Sequence, residues 1–195
     1  MRGIALWWIG AAAADPHLLD GVLRHLSDEY RLPAAAHESA ERPSGAFDPR
    51  RGQHSSSRIL EWLVVHLPPG AVRILGVTDA DLFIPILTFV FGEAQLKGRA
   101  AVVSTARLGD STGLSPDPRR LVSRLSKECV HELGHTFGLV HCRTPRCVMG
   151  RSASLVDVDE KSPHLCPACR SRYEAVAVYD GAPDEQEEHP HPGRR

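Results

Sequence analysis

Apolar and polar residues alternate along the chain in blocks that change period. The run "GIALWWIG" is read as a buried first strand, Gly3 to Gly10. Asp15-Pro16 then supplies a start signal for a helix over Pro16–Tyr30. "RLPAAAHES" reads as a short second strand near Leu32–Glu38, and the Pro, Gly and Ser of "ERPSGAFDPRRGQHSSS" mark a loop. "SSRILEWLVVHLPPG" predicts a helix capped by Ser56 or Ser57 and ended by Pro68-Pro69. A strand follows at Val72–Val77. "LTFVFGEAQLKGRAAVVSTARL" predicts two more, broken near Gly92–Gly98. The last clear helix begins near Pro118 and stops by Gly138. Strands alternating with helices point to an α/β fold with a mostly parallel sheet. No internal repeat is present.

Length adds that 195 residues suit one domain with its own hydrophobic core, here expected over residues 1–180. The polar, Pro-rich end, residues 181–195, has little to bury and is expected to be disordered. A net charge of −1, with no basic stripe, argues against a nucleic-acid partner. No apolar run reaches the roughly 20 residues that span a bilayer. The N-terminus has a second reading, because one Arg, an apolar run and small residues can form a secretory leader. The strand reading is preferred. Arg2 alone is a weak positive region, and cleavage after Ala14 would remove the strand that precedes the helix. That places the protein in the cytoplasm, where thiols stay reduced and clustered Cys read as metal ligands before disulfides.

The chemistry concentrates in "CVHELGHTFGLVHC", Cys129 to Cys142. His131 and His135 are four apart, so on a helix they point the same way and can share a cation. Val122, Leu125, Cys129, Leu133 and Val140 are expected on the opposite, core-facing side. Gly138 accepts the left-handed conformation that ends helices, which lets the chain turn and bring His141 back toward the pair. Three neutral imidazoles plus a water make an open zinc site. There the pKa of water falls from about 15.7 to about 7. Glu132, next to a ligand, is placed to take the proton and hand it to the leaving amine.

Four of the five Cys form a second pattern: Cys142-x4-Cys147 and Cys166-x2-Cys169. Four thiolates close a tetrahedral zinc site that has no room for water and is therefore structural. Adjacent His141 and Cys142 would then serve different metals, the second anchoring the first. Two disulfides, or His164 in place of one thiolate, are the alternatives. Cys129 is read as a small buried hydrophobe. Met149, eight residues past His141, is either ordinary core or an apolar floor beneath the histidines.

HExxHxxGxxH followed by Met is the pattern of the metzincin zinc peptidases. With Cys directly after the third His, then x4-Cys-x-Met and a distal Cys-x2-Cys, the chain resembles the archaemetzincins over Lys127–Cys169. The likeness extends weakly back to "FVFGEAQ", Phe89–Gln95, and to the N-terminal strand. It implies a compact metzincin-like α/β domain with a twisted mixed sheet, an active-site helix and an antiparallel edge strand over the cleft. A small zinc-stabilised C-terminal subdomain would span about residues 142–180. It further implies His131, His135 and His141 on a catalytic zinc, Glu132 as general base, and Cys142, Cys147, Cys166 and Cys169 on a structural zinc. That makes two zinc ions per chain, with Met149 as the Met-turn residue. The edge strand is expected at Thr88–Gly92, where an extended peptide would add; an ordinary strand ending at a Gly turn is the other reading. Some metzincins carry a tyrosine two residues after the Met; here that position is Arg151. The function so implied is a zinc-dependent peptidase acting on peptides or unfolded protein. The alternative is a zinc-containing peptide- or protein-binding module that does not cleave.

Overall fold

The computed structural model describes residues 2–38, 42–109 and 117–180. In chain order they form β1 (Gly3–Trp8), α1 (Pro16–Tyr30), β2 (Ala34–Glu38), β3 (Phe47–Asp48), β4 (Gln53–Ser55), α2 (Ser56–Val65) and β5 (Ala71–Thr78). Then come β6 (Leu82–Phe83), β7 (Gly92–Ala94), β8 (Ala100–Ser104), α3 (Pro118–Thr136), α4 (Leu155–Glu160) and α5 (Pro167–Asp180). The segment 181–195, expected to be disordered, lies outside the described residues.

The main sheet has the order β2-β1-β5-β8-β7. β1, β2, β5 and β8 run parallel, and β7 pairs antiparallel with β8 at the edge. This is the mixed, mostly parallel α/β architecture read from the alternation of elements. β8 reads as an apolar run up to Ser104, and β5 as one apart from Arg73 and Thr78, because both of their faces are covered. Leu75, Val77, Ala101 and Val103 join α1 and α3 through Leu26, Leu125 and Leu133. Ile74, Ala100 and Val102 face the other way, onto Ile59 and Leu63 of α2. At about 2 kcal/mol for each such side chain fully buried, these two layers supply the main drive for folding.

The helix starts follow the sequence closely. Asp15, Ser55 and Asp117 each accept a backbone N–H with a side-chain oxygen, and Pro follows Asp15 and Asp117 at the first helical position. The cap of α2 is Ser55, one residue before the expected pair. The Pro/Gly/Ser-rich stretch is not all loop. β3, β4 and β6 form a small second sheet, β3 antiparallel and β6 parallel to β4.

The edge strand is shifted from its expected place at Thr88–Gly92. The Val90 N–H donates to the Leu82 carbonyl of the second sheet, 3.0 Å away. The chain meets the main sheet one residue on, where the Phe91 carbonyl accepts from the Ser104 N–H at 2.8 Å, and the edge strand is Gly92–Ala94. Val140 is also corrected. It is 53% exposed, because α3 has already ended at Thr136 and the chain has turned away from the core.

The C-terminal segment packs on the same core as α1 and α3, through Val148, Met149, Val158, Leu165, Cys169 and Tyr173. The hydroxyl of Tyr30 donates to the Val130 carbonyl at 2.6 Å, and that of Tyr173 to the Tyr30 carbonyl at 2.6 Å. Buried Glu29 accepts from the Leu165 N–H at 3.0 Å and pairs with His164 and Arg170. No helix among the described residues is long and apolar enough to cross a membrane.

Candidate metal centre

α3 carries His131, Glu132 and His135 into a cleft, and its end decides where His141 goes. Phe137 closes the helix and Gly138 follows with φ +86°. The Gly138 N–H donates to the His135 carbonyl at 2.9 Å and the Leu139 N–H to the Gly134 carbonyl at 3.0 Å. These paired bonds are the Schellman arrangement, which needs a left-handed residue at that one position. The turn returns the chain, and the ligand-type nitrogens of His131, His135 and His141 come within 4.8 Å of one another.

Orientation is fixed from behind. Nδ1 of His131 faces the Val148 carbonyl at 2.9 Å, and Nδ1 of His135 faces the Leu139 carbonyl at 2.7 Å. A carbonyl only accepts, so each Nδ1 carries the proton and each Nε2 presents a lone pair. The two Nε2 atoms face each other at 3.1 Å. Two lone pairs at that distance repel unless a cation lies between them. Four ligands at about 2.0–2.1 Å around zinc would stand roughly 3.3 Å apart, which this spacing fits. Burial, first of all, pushes the pKa of each of the three imidazoles down, and the Lys161 charge adds to it. The neutral ring is the form that binds a metal.

Glu132 is buried beside this trio. Burial pushes its carboxyl well above the ordinary glutamate value; Glu128 and Glu93 add to that, and Lys161 opposes it. Strand β7 lies directly on it. A Cβ at Gly92 would stand 2.7 Å from the Glu132 Cγ, so only glycine lets the edge strand approach so closely. β7 is pinned by Glu93, whose carboxylate accepts from the Ser57 hydroxyl at 3.1 Å at the start of α2. The cavity over the histidines is about 580 Å³. Ile86 to Gly92 form one wall, Glu128, His131, Glu132 and His141 the floor, and Arg151 to Ala153 the far side.

Met149 is fully buried, and a Cβ placed on Gly134 would meet its sulfur at 2.5 Å. Its thioether thus packs on the backbone of α3 at Gly134, which lies between His131 and His135 in sequence.

Cys142, Cys147, Cys166 and Cys169 bring four sulfurs within 4.8 Å of one another, and none is in a disulfide. The Cys142–Cys166 and Cys147–Cys169 sulfurs are each 3.8 Å apart. Zinc–sulfur bonds of about 2.3 Å give tetrahedral edges of roughly 3.8 Å, so the four sulfurs fit that ion. Backbone N–H groups of Thr144 and Cys166 reach the Cys142 and Cys147 sulfurs at 3.4 and 3.5 Å. His164 takes no part, because its Nδ1 meets Glu29 at 2.8 Å. Cys129 is buried in the core, as expected.

One further group at the cavity floor belongs to no motif in the sequence. Glu128 is buried one helical turn before Glu132, 3.1 Å from the Lys161 ammonium and 3.1 Å from the Ser152 hydroxyl. Its only local signal is the four-residue spacing from Glu132; both partners come from distant sequence.

Residues 31–175 match the model of peptidase family M54. The chain is 42% identical over 152 residues to archaemetzincin from Methanopyrus kandleri, covering 78% of this chain and 83% of that relative. The crystal structure of an archaemetzincin from the same organism superposes with a TM-score of 0.78 at 37% identity, over 90% of this chain and 96% of the other. A structure from Methanocorpusculum labreanum, described as a zinc-dependent peptidase, gives a TM-score of 0.80 at 31% identity, over 88% of this chain and all (100%) of the other. Across most of its length, then, the sequence and the backbone agree on one kinship: the chain belongs to peptidase family M54, the archaemetzincins, which are zinc metallopeptidases.

Proposed function

We propose that the chain hydrolyses peptide bonds at the His131–His135–His141 centre, with Glu132 as the general base. The observation that carries this is the pair of Nε2 lone pairs held 3.1 Å apart beside a buried carboxylate on an open cavity. Bound by those three imidazoles, zinc supplies Lewis acidity that brings the pKa of a water to about 7. Glu132 takes the proton from the attacking water and delivers it to the amine that leaves. Burial raises its pKa above the ordinary glutamate value, which makes it a stronger base than a solvated carboxylate. The Val148 and Leu139 carbonyls hold the rings of His131 and His135 in one tautomer and one direction.

β7 ends the main sheet, so its outer edge is open to an extended peptide, which would bind by main-chain hydrogen bonds along Gly92–Ala94. Cys142, Cys147, Cys166 and Cys169 hold a second, structural zinc that stabilises a subdomain of residues 142–180. Met149 is the Met-turn residue. The substrate is a peptide or unfolded protein, and the setting is the cytoplasm, where the thiols stay reduced.

The test is Glu132→Ala. The variant should keep two zinc ions per chain, measured on protein purified without added metal, and lose peptide hydrolysis. Full hydrolysis by the variant would remove the mechanism. A single zinc per chain would remove one of the two centres. Peptide binding without cleavage by either form would favour the zinc-containing binding module.

A further inference from the structure

Arg151 stands two residues past Met149 and lines the cavity that holds His131, Glu132 and His141. Among the described residues it has no hydrogen bond and no ion pair. Every other fixed charge at the floor is answered or already assigned. Glu128 is paired with Lys161 at 3.1 Å, and Glu132 is the proposed base. The opposite wall, from Ile86 to Phe91, is apolar except for Thr88. A solvated arginine on a mobile tail would be unremarkable, but Arg151 is not on one. Before it, the Cys142 N–H donates to the Met149 carbonyl at 2.9 Å and the Gly150 N–H to the Cys147 carbonyl at 2.8 Å. After it, the Ser152 hydroxyl donates to Glu128 at 3.1 Å, and the Ala153 and Ser154 N–H groups donate to Asp157 at 2.9 and 2.8 Å. The Arg151 side chain is exposed, but its backbone is fixed on both sides, so a ligand gains a guanidinium at the cavity without the cost of ordering the loop.

A planar fork of N–H donors with no partner among the described residues, at the cavity of a proposed peptidase centre, matches one chemistry: a carboxylate held through two charge-assisted hydrogen bonds. We propose that Arg151 is a specificity-determining residue that binds a carboxylate of the substrate close to the scissile bond, so that the preferred substrates are acidic peptides. The carboxylate comes either from an Asp or Glu side chain or from the peptide's own C-terminus. This rests on the peptidase reading only in taking the ligand to be a peptide.

The experiment separates the two. Zinc-loaded Glu132→Ala protein is titrated with fluorescent peptides that differ only in Glu against Gln near the centre, or in a free against an amidated C-terminus. Binding should favour the carboxylate by about tenfold in one of these pairs, which names its source. The preference should weaken with added salt. It should disappear in Glu132→Ala/Arg151→Gln and survive in part in Glu132→Ala/Arg151→Lys, where the charge remains but the fork does not. Equal affinity within both pairs, a preference that outlives Arg151→Gln, or a loss equal for charged and neutral peptides each overturns the proposal. So does failure to bind any peptide. The same peptides are then incubated with the chain carrying Glu132 and read by mass spectrometry. A carboxylate preference in binding with no cleavage would remove the peptidase reading and leave the role of Arg151 standing.

Discussion

Lys161→Met removes one half of the buried ion pair beneath the cleft. The Glu128 and Lys161 side chains are 3% and 5% exposed, and their charged atoms are 3.1 Å apart. At that distance the attraction is about 5 kcal/mol for an effective dielectric of about 20. The cost of taking two ions out of water offsets much of it, so the intact pair contributes little net stability. Losing only the ammonium is another matter. Among the described residues, Glu128 then keeps one hydrogen-bond partner, the Ser152 hydroxyl, and remains a buried charge. A loss of about 3–5 kcal/mol is expected. At about 2–4 °C per kcal/mol for a chain of this size, the melting temperature should fall by roughly 10 °C.

The double variant Glu128→Gln/Lys161→Met removes both charges and leaves an amide for Ser152. It should recover to within about 1–2 kcal/mol of the parent, with a coupling of at least about 2 kcal/mol between the sites. Calorimetric melting of all four proteins at one fixed free zinc concentration measures this, because metal bound to the native state raises the melting temperature on its own. A double variant as unstable as the sum of the singles would refute the reasoning. A Lys161→Met loss under about 1 kcal/mol would mean that the pair behaves as a wet surface pair.

Two other outcomes follow from the same geometry. Gly92→Ala would put a Cβ 2.7 Å from both the Glu132 Cγ and the Val102 carbonyl, and the ladder oxygen cannot move. Hydrolysis should fall on the order of 100-fold as Glu132 is displaced, with zinc content unchanged, and an unimpaired rate would show that β7 does not set the position of the base. Asp159 is held below the ordinary carboxylate range by Arg124, whose guanidinium donates to it twice at 2.7 Å. A lowered folded pKa gives stability that is present above the unfolded value, near pH 4, and is lost as pH falls through the folded one. Arg124→Met should therefore be less stable at pH 7 and lose less between pH 4 and lower pH; an acid limb as steep as the parent's would count against this.

The site was legible because its determinants are local. Ligands four apart on a helix, a glycine at the stop and a third ligand three residues on are all decided within eleven positions, His131 to His141, and short-range geometry brings them together. The thiol cluster was legible from the two Cys pairs, although its closing contact spans more than twenty residues. What stayed hidden is long-range or very short. β3, β4 and β6 are two or three residues each and carry no period. The edge strand was misplaced because its start depends on where the Val90 N–H is used, which is a tertiary fact. Lys161 looks like any surface lysine until α4 brings it 33 positions back onto Glu128.

The loop from Leu139 to Met149 links the two candidate centres more tightly than the adjacency of His141 and Cys142 alone would. Leu139 and Val148, whose carbonyls orient His135 and His131, stand at either end of it. Cys142 and Cys147 lie between them, and Val148 directly follows Cys147. A shift in the sulfur cluster would therefore move the acceptor that fixes the tautomer of His131, a ring that lies on α3 and makes no bond to any thiol. α3 can aim two rings into the cleft by helical spacing alone, but it cannot set which nitrogen of each ring carries the proton. That choice falls to the loop. Cys142 and Cys147 in the loop, closed by Cys166 and Cys169 at the start of α5, would thus hold in place the carbonyls that orient the two histidines.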